Sequence, residues 1–326
     1  MRVARSRRLV LSLAAVLVAV TAACVTSHPL TVDTRTTRSS LTLPRDIRVR
    51  TGGHVVSVPL EDYVLAAALS EVSPVNEAPA TTARVFEVQA IIARTYVIAH
   101  LRRHADEGFD ACDTTHCQLY QPGRISTSRF ADAARAAVDA TRGVVLLYGN
   151  RAADALFHAD CGGHTASASD VWGGPSVPYL TGEADAVPDD THRSWQSRLS
   201  ADRLRDALAT RTRALLGPRL KNVRVSERDG SGRAEAIDLE GDHVVTVRGD
   251  SFRAAITREF GTQALQSTQF AVTRDGGTFV FSGRGYGHGV GLCQVGAAAR
   301  ARRGESVDEI LSAYFPGAAV ARALAR

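Results

Sequence analysis

Four stretches of the chain carry side chains whose types and spacing can do chemistry. The densest runs from Gly283 to Gly296 (GRGYGHGVGLCQVG), where glycines alternate with larger residues and His288, Cys293 and Gln294 stand among them. Alternating glycines permit positive φ and let backbone approach a ligand closely. Either Cys293 is a nucleophile with His288 as its base, or the loop is structural. In the second case its histidine meets ligand and its cysteine is a small hydrophobe or half of a disulfide. It is no phosphate loop, since no Lys-Ser/Thr follows and no GxGxxG opens a helix. The second stretch is Cys112 to Tyr120 (CDTTHCQLY), two cysteines five apart with His116 between them and His104 upstream. These are zinc-ligand types, and because adjacent His116 and Cys117 would crowd one tetrahedral ion, His104 is the better third ligand. A Cys112–Cys117 disulfide is the alternative. The third stretch, Phe157 to Thr165 (FHADCGGHT), reads as a strand entering a Gly162-Gly163 turn, with His158, Asp160, His164 and Thr165 near a cleft. The fourth is Glu71, with Arg94 one helix later. Burial would keep such a carboxyl protonated and able to donate, whereas an ion pair with Arg94 would do the reverse.

The elements that must position these groups follow from periodicity. Ile47–Arg50 and His54–Leu60 alternate around Gly52-Gly53 as a hairpin. Glu61–Val72 is helical, acidic in its first turn, with apolar positions at Val64, Leu65, Ala68, Leu69 and Val72 and with Glu71 at its end. Pro79 opens a longer helix to about His104, apolar over most of its length yet carrying Gln89, Arg94 and Tyr96, polar groups that need a partner or a function. A third helix spans Ser128–Arg142, and Val144–Tyr148 pairs with Ala153–Ala159 about Gly149-Asn150. Residues 160–190 read as a long loop. Beyond it come a helix capped by Ser200, short strands over Lys221–Arg248, a helix over Ser251–Phe260 and a hairpin about Asp275-Gly276-Gly277. Helices near Ala297–Arg303 and Val307–Tyr314 follow. Helices and hairpins mix without regular βαβ alternation, so the fold class is α+β.

Composition and the first residues bound the compartment. Hydrophobic residues are 44% and charged residues 22% of the 326, ordinary globular usage that excludes a disordered or collagenous chain. The formal net charge is +5, but Arg2, Arg5, Arg7 and Arg8 lie in an apparent leader, and without them 35 basic residues face 34 acidic ones. Nothing in that balance supports nucleic acid as a partner. Residues 1–23 read as an export signal: MRVARSRR, then the apolar run Leu9–Val20, then small residues before Cys24 in a lipobox-like arrangement. Cys24 is the expected lipidation site and gives a membrane anchor; secretion with Cys24 free is the alternative. Residues 24–43 form a Thr/Ser-rich tether, 44–317 the body with about 200–265 as a small inserted strand-rich subdomain, and 318–326 a C-terminal tail.

In order along the chain, VPLEDYVLAAALSEVSP, EVQAIIARTYVIAH, DACDTTHCQLYQP, LFHADCGGHTA and GRGYGHGVGLCQVGAAARA resemble the stage II sporulation protein D (SpoIID)/LytB family over roughly residues 45–317. The resemblance implies action on peptidoglycan glycan strands outside the cytoplasm, with mixed helices and hairpins around a glycan-binding groove. One branch holds lytic transglycosylases that cut peptide-stripped strands, and the other is described as enhancing an N-acetylmuramoyl-L-alanine amidase. Carried over residue by residue, Glu71 becomes the catalytic acid/base, and Cys112, Cys117 and His104 become the ligands of a structural Zn²⁺. Arg94, Gln118, Tyr120, Gly162, Gly163, His164, Thr165, His288 and Gln294 become the residues lining the groove. Cys293 stands where many members carry serine, which argues against a nucleophile there and allows a Cys161–Cys293 disulfide between two groove loops. Three readings therefore stand: a lytic transglycosylase, a non-catalytic wall-binding partner of a cell-wall amidase, and a cysteine peptidase, the last disfavoured by the resemblance.

Overall fold

The structure, a computed structural model, describes residues 40–325; the export signal, Cys24 and nearly all of the tether lie outside the described residues. In chain order the elements begin with β1 (Thr42–Leu43), β2 (Asp46–Thr51), β3 (His54–Pro59), α1 (Leu60–Glu71), α2 (Pro79–Ala99), β4 (Ala111–Cys112), α3 (Arg124–Thr127) and α4 (Ala131–Ala140). Next are β5 (Val144–Tyr148), β6 (Arg151–Ala152), β7 (Phe157–His158), α5 (Ala168–Trp172), β8 (Ser194–Ser200), α6 (Ala201–Leu216), β9 (Asn222–Arg228), β10 (Ala234–Glu240), β11 (Val244–Arg248) and α7 (Gly249–Phe260). The chain closes with β12 (Phe270–Asp275), β13 (Thr278–Arg284), β14 (Leu292–Cys293), α8 (Gln294–Arg302), α9 (Val307–Tyr314), β15 (Ala319–Arg322) and β16 (Leu324–Ala325). Small, mostly antiparallel sheets and helices alternate irregularly, an α+β fold.

Helix α2 is the axis of the first part of the molecule. Pro79 supplies a preset φ at its first turn, and nearly every residue from Val85 to Ile98 is buried. A helix apolar all round must be covered on all sides. One face packs on α1, α4 and the β2 and β4 strands through Phe86, Ala90, Ala93 and Val97. The other meets β5, the 290s loop, α8 and α9 through Val85, Val88, Ile92 and Tyr96. Two of its buried polar side chains take partners across the packing, although Gln89 Nε2 has none among the described residues. Thr95 donates to Ile91 O and accepts the Leu146 N–H, while Gln89 accepts from Gln294. The helix stops at Ala99, short of the expected His104, because the His100 ring turns back to donate to Tyr96 O and Leu101–His104 offers no apolar face.

A separate core fills the second part. Trp195, Leu204, Val223, Ile237, Phe252, Phe270, Phe279 and Phe281 pack together between the β8–β13–β12 sheet, the β9–β10–β11 sheet and helices α6 and α7. The strand-rich piece expected over about 200–265 thus extends from Trp195 to Phe281, because β8 pairs residue for residue with β13. Two other expectations change. The helix expected over Ser128–Arg142 is shortened to α4, with the separate turn α3 just before it and the Ser128 hydroxyl accepting the Phe130 N–H between them. Of the pairing expected between 153–159 and β5, the ladder lies at Arg151–Ala152, just before that span; Phe157–His158 instead pairs in parallel with Leu292–Cys293. Local alternation marks a strand but cannot name a partner that far away in sequence. The residues expected to trail as a tail form β15 on the free edge of β5 and β16 beside Thr42–Leu43.

Candidate functional site

Helix α1 ends at Glu71, and Val72-Ser73-Pro74 leads the chain away. A cavity of about 670 Å³ opens beside it. Its wall is built from the α1–α2 connection (Glu71, Val75, Glu77), Ala159-Asp160, Thr191 and Arg193, Gln263 and Gln266, Tyr286, and the first turns of α8 (Gln294, Val295, Ala298, Arg302). Five segments distant in sequence therefore converge on one carboxyl group. Glu71 accepts the Leu119 N–H at 2.7 Å and has no cation within ion-pair distance among the described residues. Burial pushes its carboxyl up to about 7, with the Leu119 hydrogen bond pulling weakly the other way. It is a carboxyl that holds its proton near neutrality and can release it. The other carboxylates on the wall are occupied. Glu77 is paired with Arg302, and Asp160 accepts from Gly162 N, Arg193 N and His192 Nδ1.

Arg94, the other half of the sequence question, turns away from Glu71. It is fully buried, and its guanidinium pairs with Glu61 through Nε (3.1 Å) and Nη2 (2.5 Å) and donates to Val144 O at 3.0 Å. That corrects both the Glu71–Arg94 pair and the expectation of Arg94 on the groove: the residue ties α1 to α2 and β5. Gln118 lies beneath the wall, donating to Ala93 O, and Tyr120 is buried with its ring stacked on Tyr63 at 5.2 Å. Thr165 exchanges hydrogen bonds with the Glu183 backbone, and the His164 ring donates to Thr165 O. Gly162 and Gly163 take φ of 74° and 107°, and a Cβ on Gly162 would collide with Gln269 and the Arg284 backbone, so a close approach of loops requires glycine there. His288 accepts from Val290 N and stands against Trp172; burial and the nearby Arg253 and Arg233 charges hold its basicity down to about 3. Of the residues named from sequence as chemical groups, Glu71, Asp160 and Gln294 line the cavity. Arg193, Gln263, Gln266, Tyr286 and Arg302 were not foreseen, since no local pattern connects them.

The cysteines resolve into two groups, and all four among the described residues are free thiols. His104, Cys112, His116 and Cys117 bring one ligand atom each to within 4.8 Å of one another. His104 Nε2 lies 3.3 Å from Cys117 Sγ, and His116 Nδ1 lies 3.7 Å from both sulfurs. Ligand bonds of 2.0–2.3 Å in a tetrahedron put neighbouring ligand atoms about 3.3–3.8 Å apart, so this set fits Zn²⁺. Glu107 holds His104 Nδ1 at 2.5 Å, the outer carboxylate that fixes a ligating imidazole. Burial opposes ionisation of Cys112, yet hydrogen bonds from Thr114 and Cys117 draw its thiol down to about 7. His116, set aside from sequence because it adjoins Cys117, completes the set: the tight turn closed by Cys117 N on Thr114 O lets both side chains face inward. The second group is Asp160, Cys161, His192 and Cys293, every member buried. The Cys161–Cys293 disulfide expected from sequence is not formed, and Cys293 lies among these residues with no exposed surface, which removes the nucleophile reading.

Residues 50–148 match the family model described as "Stage II sporulation protein", and residues 188–291 match a domain of unknown function (DUF8618). An uncharacterized protein of Brachyspira hyodysenteriae is 30% identical over 259 residues, covering 79% of this chain and 65% of its own. Stage II sporulation protein D of Bacillus amyloliquefaciens is 29% identical over 289 residues, covering 84% and 78%. The amidase enhancer of Bacillus subtilis is 29% identical over 286 residues, covering 74% of this chain and 39% of its own. Residues 50–148 are a SpoIID-family domain, and the likeness to these relatives supports the SpoIID/LytB family. The chain spans less than two thirds of the Brachyspira protein and of the amidase enhancer. The 50–148 match carries Glu71, Arg94 and the whole His104–Cys117 cluster. His192 and His288 fall in the 188–291 match, whose strands include the second core. No helix among the described residues is long and apolar enough to cross a membrane.

Proposed function

We propose that this protein acts outside the cytoplasm on peptidoglycan glycan strands as a lytic transglycosylase, with Glu71 as the one acid/base. The observation that carries the reading is a single unpaired carboxyl, held up to about 7 by burial, on the wall of a cavity large enough for sugar rings. Protonated Glu71 donates to the glycosidic oxygen between N-acetylmuramic acid and N-acetylglucosamine. The carboxylate so formed takes the proton of the muramic C6 hydroxyl, whose oxygen attacks C1 and closes a 1,6-anhydro ring. Since no water attacks, the second carboxylate of ordinary glycosidases is not needed. That matches a wall on which Glu77 and Asp160 are already engaged. Gln294, held by Gln89, and Tyr286, Gln263 and Gln266 supply hydrogen bonds to hydroxyl and N-acetyl groups. His104, Cys112, His116 and Cys117 hold a structural Zn²⁺ that pins the segment donating Leu119 N–H to Glu71. Cys24 carries the lipid anchor.

A second reading, a wall-binding partner of a cell-wall amidase without catalysis of its own, is favoured by the likeness to the Bacillus subtilis amidase enhancer. Intact sacculi and amidase-treated strands, incubated with the protein and with its Glu71→Gln variant, separate the two. Soluble 1,6-anhydro-muramic ends found by mass spectrometry with Glu71 only would support the enzyme. Binding by both proteins, with products from neither, would leave the amidase partner.

A further inference from the structure

Beneath the cavity wall, Asp160, Cys161, His192 and Cys293 form a second four-ligand set whose donor atoms all lie within 4.8 Å of one another. They come from three separate segments: the turn after β7, the residue pair before β8, and the end of β14. Each adjoins a wall residue, Ala159 for the first, Thr191 and Arg193 for the second, Gln294 for the third. We propose that this set binds a second Zn²⁺, which staples the three segments of the wall together.

Three features point to a metal rather than to inert packing. The first is donor chemistry, two thiols, an imidazole and a carboxylate, a combination that suits Zn²⁺. His192 Nδ1 stands 3.9 Å from Cys161 Sγ, close to the edge of a tetrahedral zinc site. The second is the surroundings of the sulfurs. Cys293 Sγ accepts from Cys161 N at 3.2 Å and Gly296 N at 3.3 Å, and Cys161 Sγ accepts from Gly163 N at 3.4 Å. These N–H donors would stabilise thiolates once a metal is bound, whereas in the metal-free chain Cys293, burial and the Asp185 carboxylate, to which Cys161 Sγ donates at 3.4 Å, keep the Cys161 thiol protonated. The third is charge. Arg233 is buried, donates to Cys161 O at 2.6 Å, and leaves Nε and Nη1 with no hydrogen-bond partner; no carboxylate reaches its guanidinium among the described residues. Gly289, at φ 89°, lies so close to that guanidinium that a Cβ there would overlap it. A buried cation without a counter-charge is costly. Zinc with two thiolates, a neutral imidazole and a carboxylate carries one net negative charge beside Arg233; without metal that charge rests on Asp160 alone and is cancelled when His192 is protonated.

Binding releases two thiol protons and moves the proton now shared by His192 Nδ1 and Asp160 Oδ1 (2.7 Å) to Nε2. No electrons are exchanged. The test counts metal. The full chain, produced with zinc and purified without chelator, should hold two zinc per chain by plasma mass spectrometry. Cys117→Ser and Cys293→Ser should each lower this to one. In case Cys293→Ser fails to fold, cobalt titration of the wild-type chain provides a measurement without variants, and thiolate-to-cobalt absorption should rise through two equivalents. Saturation at one equivalent, zinc content unchanged by Cys293→Ser, or a Cys161–Cys293 disulfide in a non-reducing peptide map would each overturn the proposal.

Discussion

The Glu71→Gln substitution should make the protein more stable while it removes the acid, and the size of the gain follows from the site. Burial moves the carboxyl from its ordinary 4.5 to about 7. At about 1.4 kcal/mol per tenfold change in proton affinity, that is about 3 kcal/mol against the ionised form, and screening from the open side of the cavity brings it to about 1–3 kcal/mol. The sign follows from which state holds the proton. Below about pH 4.5 both folded and unfolded chains keep it, so wild type and variant should be about equally stable there. As pH rises through 4.5 to 7 the unfolded chain releases the proton while the folded one retains it, and wild-type stability falls. Above 7 the loss is complete. The variant has no such proton, and its amide oxygen can still accept the Leu119 N–H. Urea unfolding of both proteins at pH 4, 6 and 8 measures the difference. With a slope of about 2–3 kcal/mol per molar, the midpoint of the variant should exceed that of wild type by about 0.5–1 M at pH 8 and converge at pH 4. A pH-independent difference, or a variant less stable at pH 8, would refute the claim that Glu71 is a buried, high-affinity carboxyl.

Glycan cleavage should be level below about pH 7 and fall about tenfold per pH unit above it, as Glu71 loses the proton it must donate; release of anhydro ends across buffers checks this. Arg94→Met should cost about 3–5 kcal/mol, because it strands Glu61 beside an apolar core; thermal unfolding reads the loss. Chelating zinc from the His104–Cys117 cluster should raise amide exchange over residues 100–121 and lower the melting temperature. Gly296→Ala should cost about 1–3 kcal/mol, since its Cβ would run into Asp185 and Tyr314 beneath α8, and denaturant midpoints would show it.

What the sequence by itself determined is whatever depends on neighbours along the chain. Apolar spacing marked α1 and placed Glu71 at its end, Pro79 opened α2, and Gly-containing turns marked the β2–β3 and β12–β13 hairpins. The motif order pointed to the family, and the cysteine and histidine types to one metal-ligand inventory, that of His104, Cys112 and Cys117. What only the tertiary structure decided is every choice between partners. Arg94 could have paired with Glu71 or with Glu61, both on one helix, and the packing of α1 on α2 selected Glu61. That choice left Glu71 without a cation to offset the burial that raises its proton affinity. His116 joined the His104–Cys117 set through the turn at Cys117, and Cys293 met Cys161 and His192 rather than His288 because β14 pairs with β7. Proton affinity and metal geometry depend on distances and burial, and these arise between segments that a linear pattern does not relate.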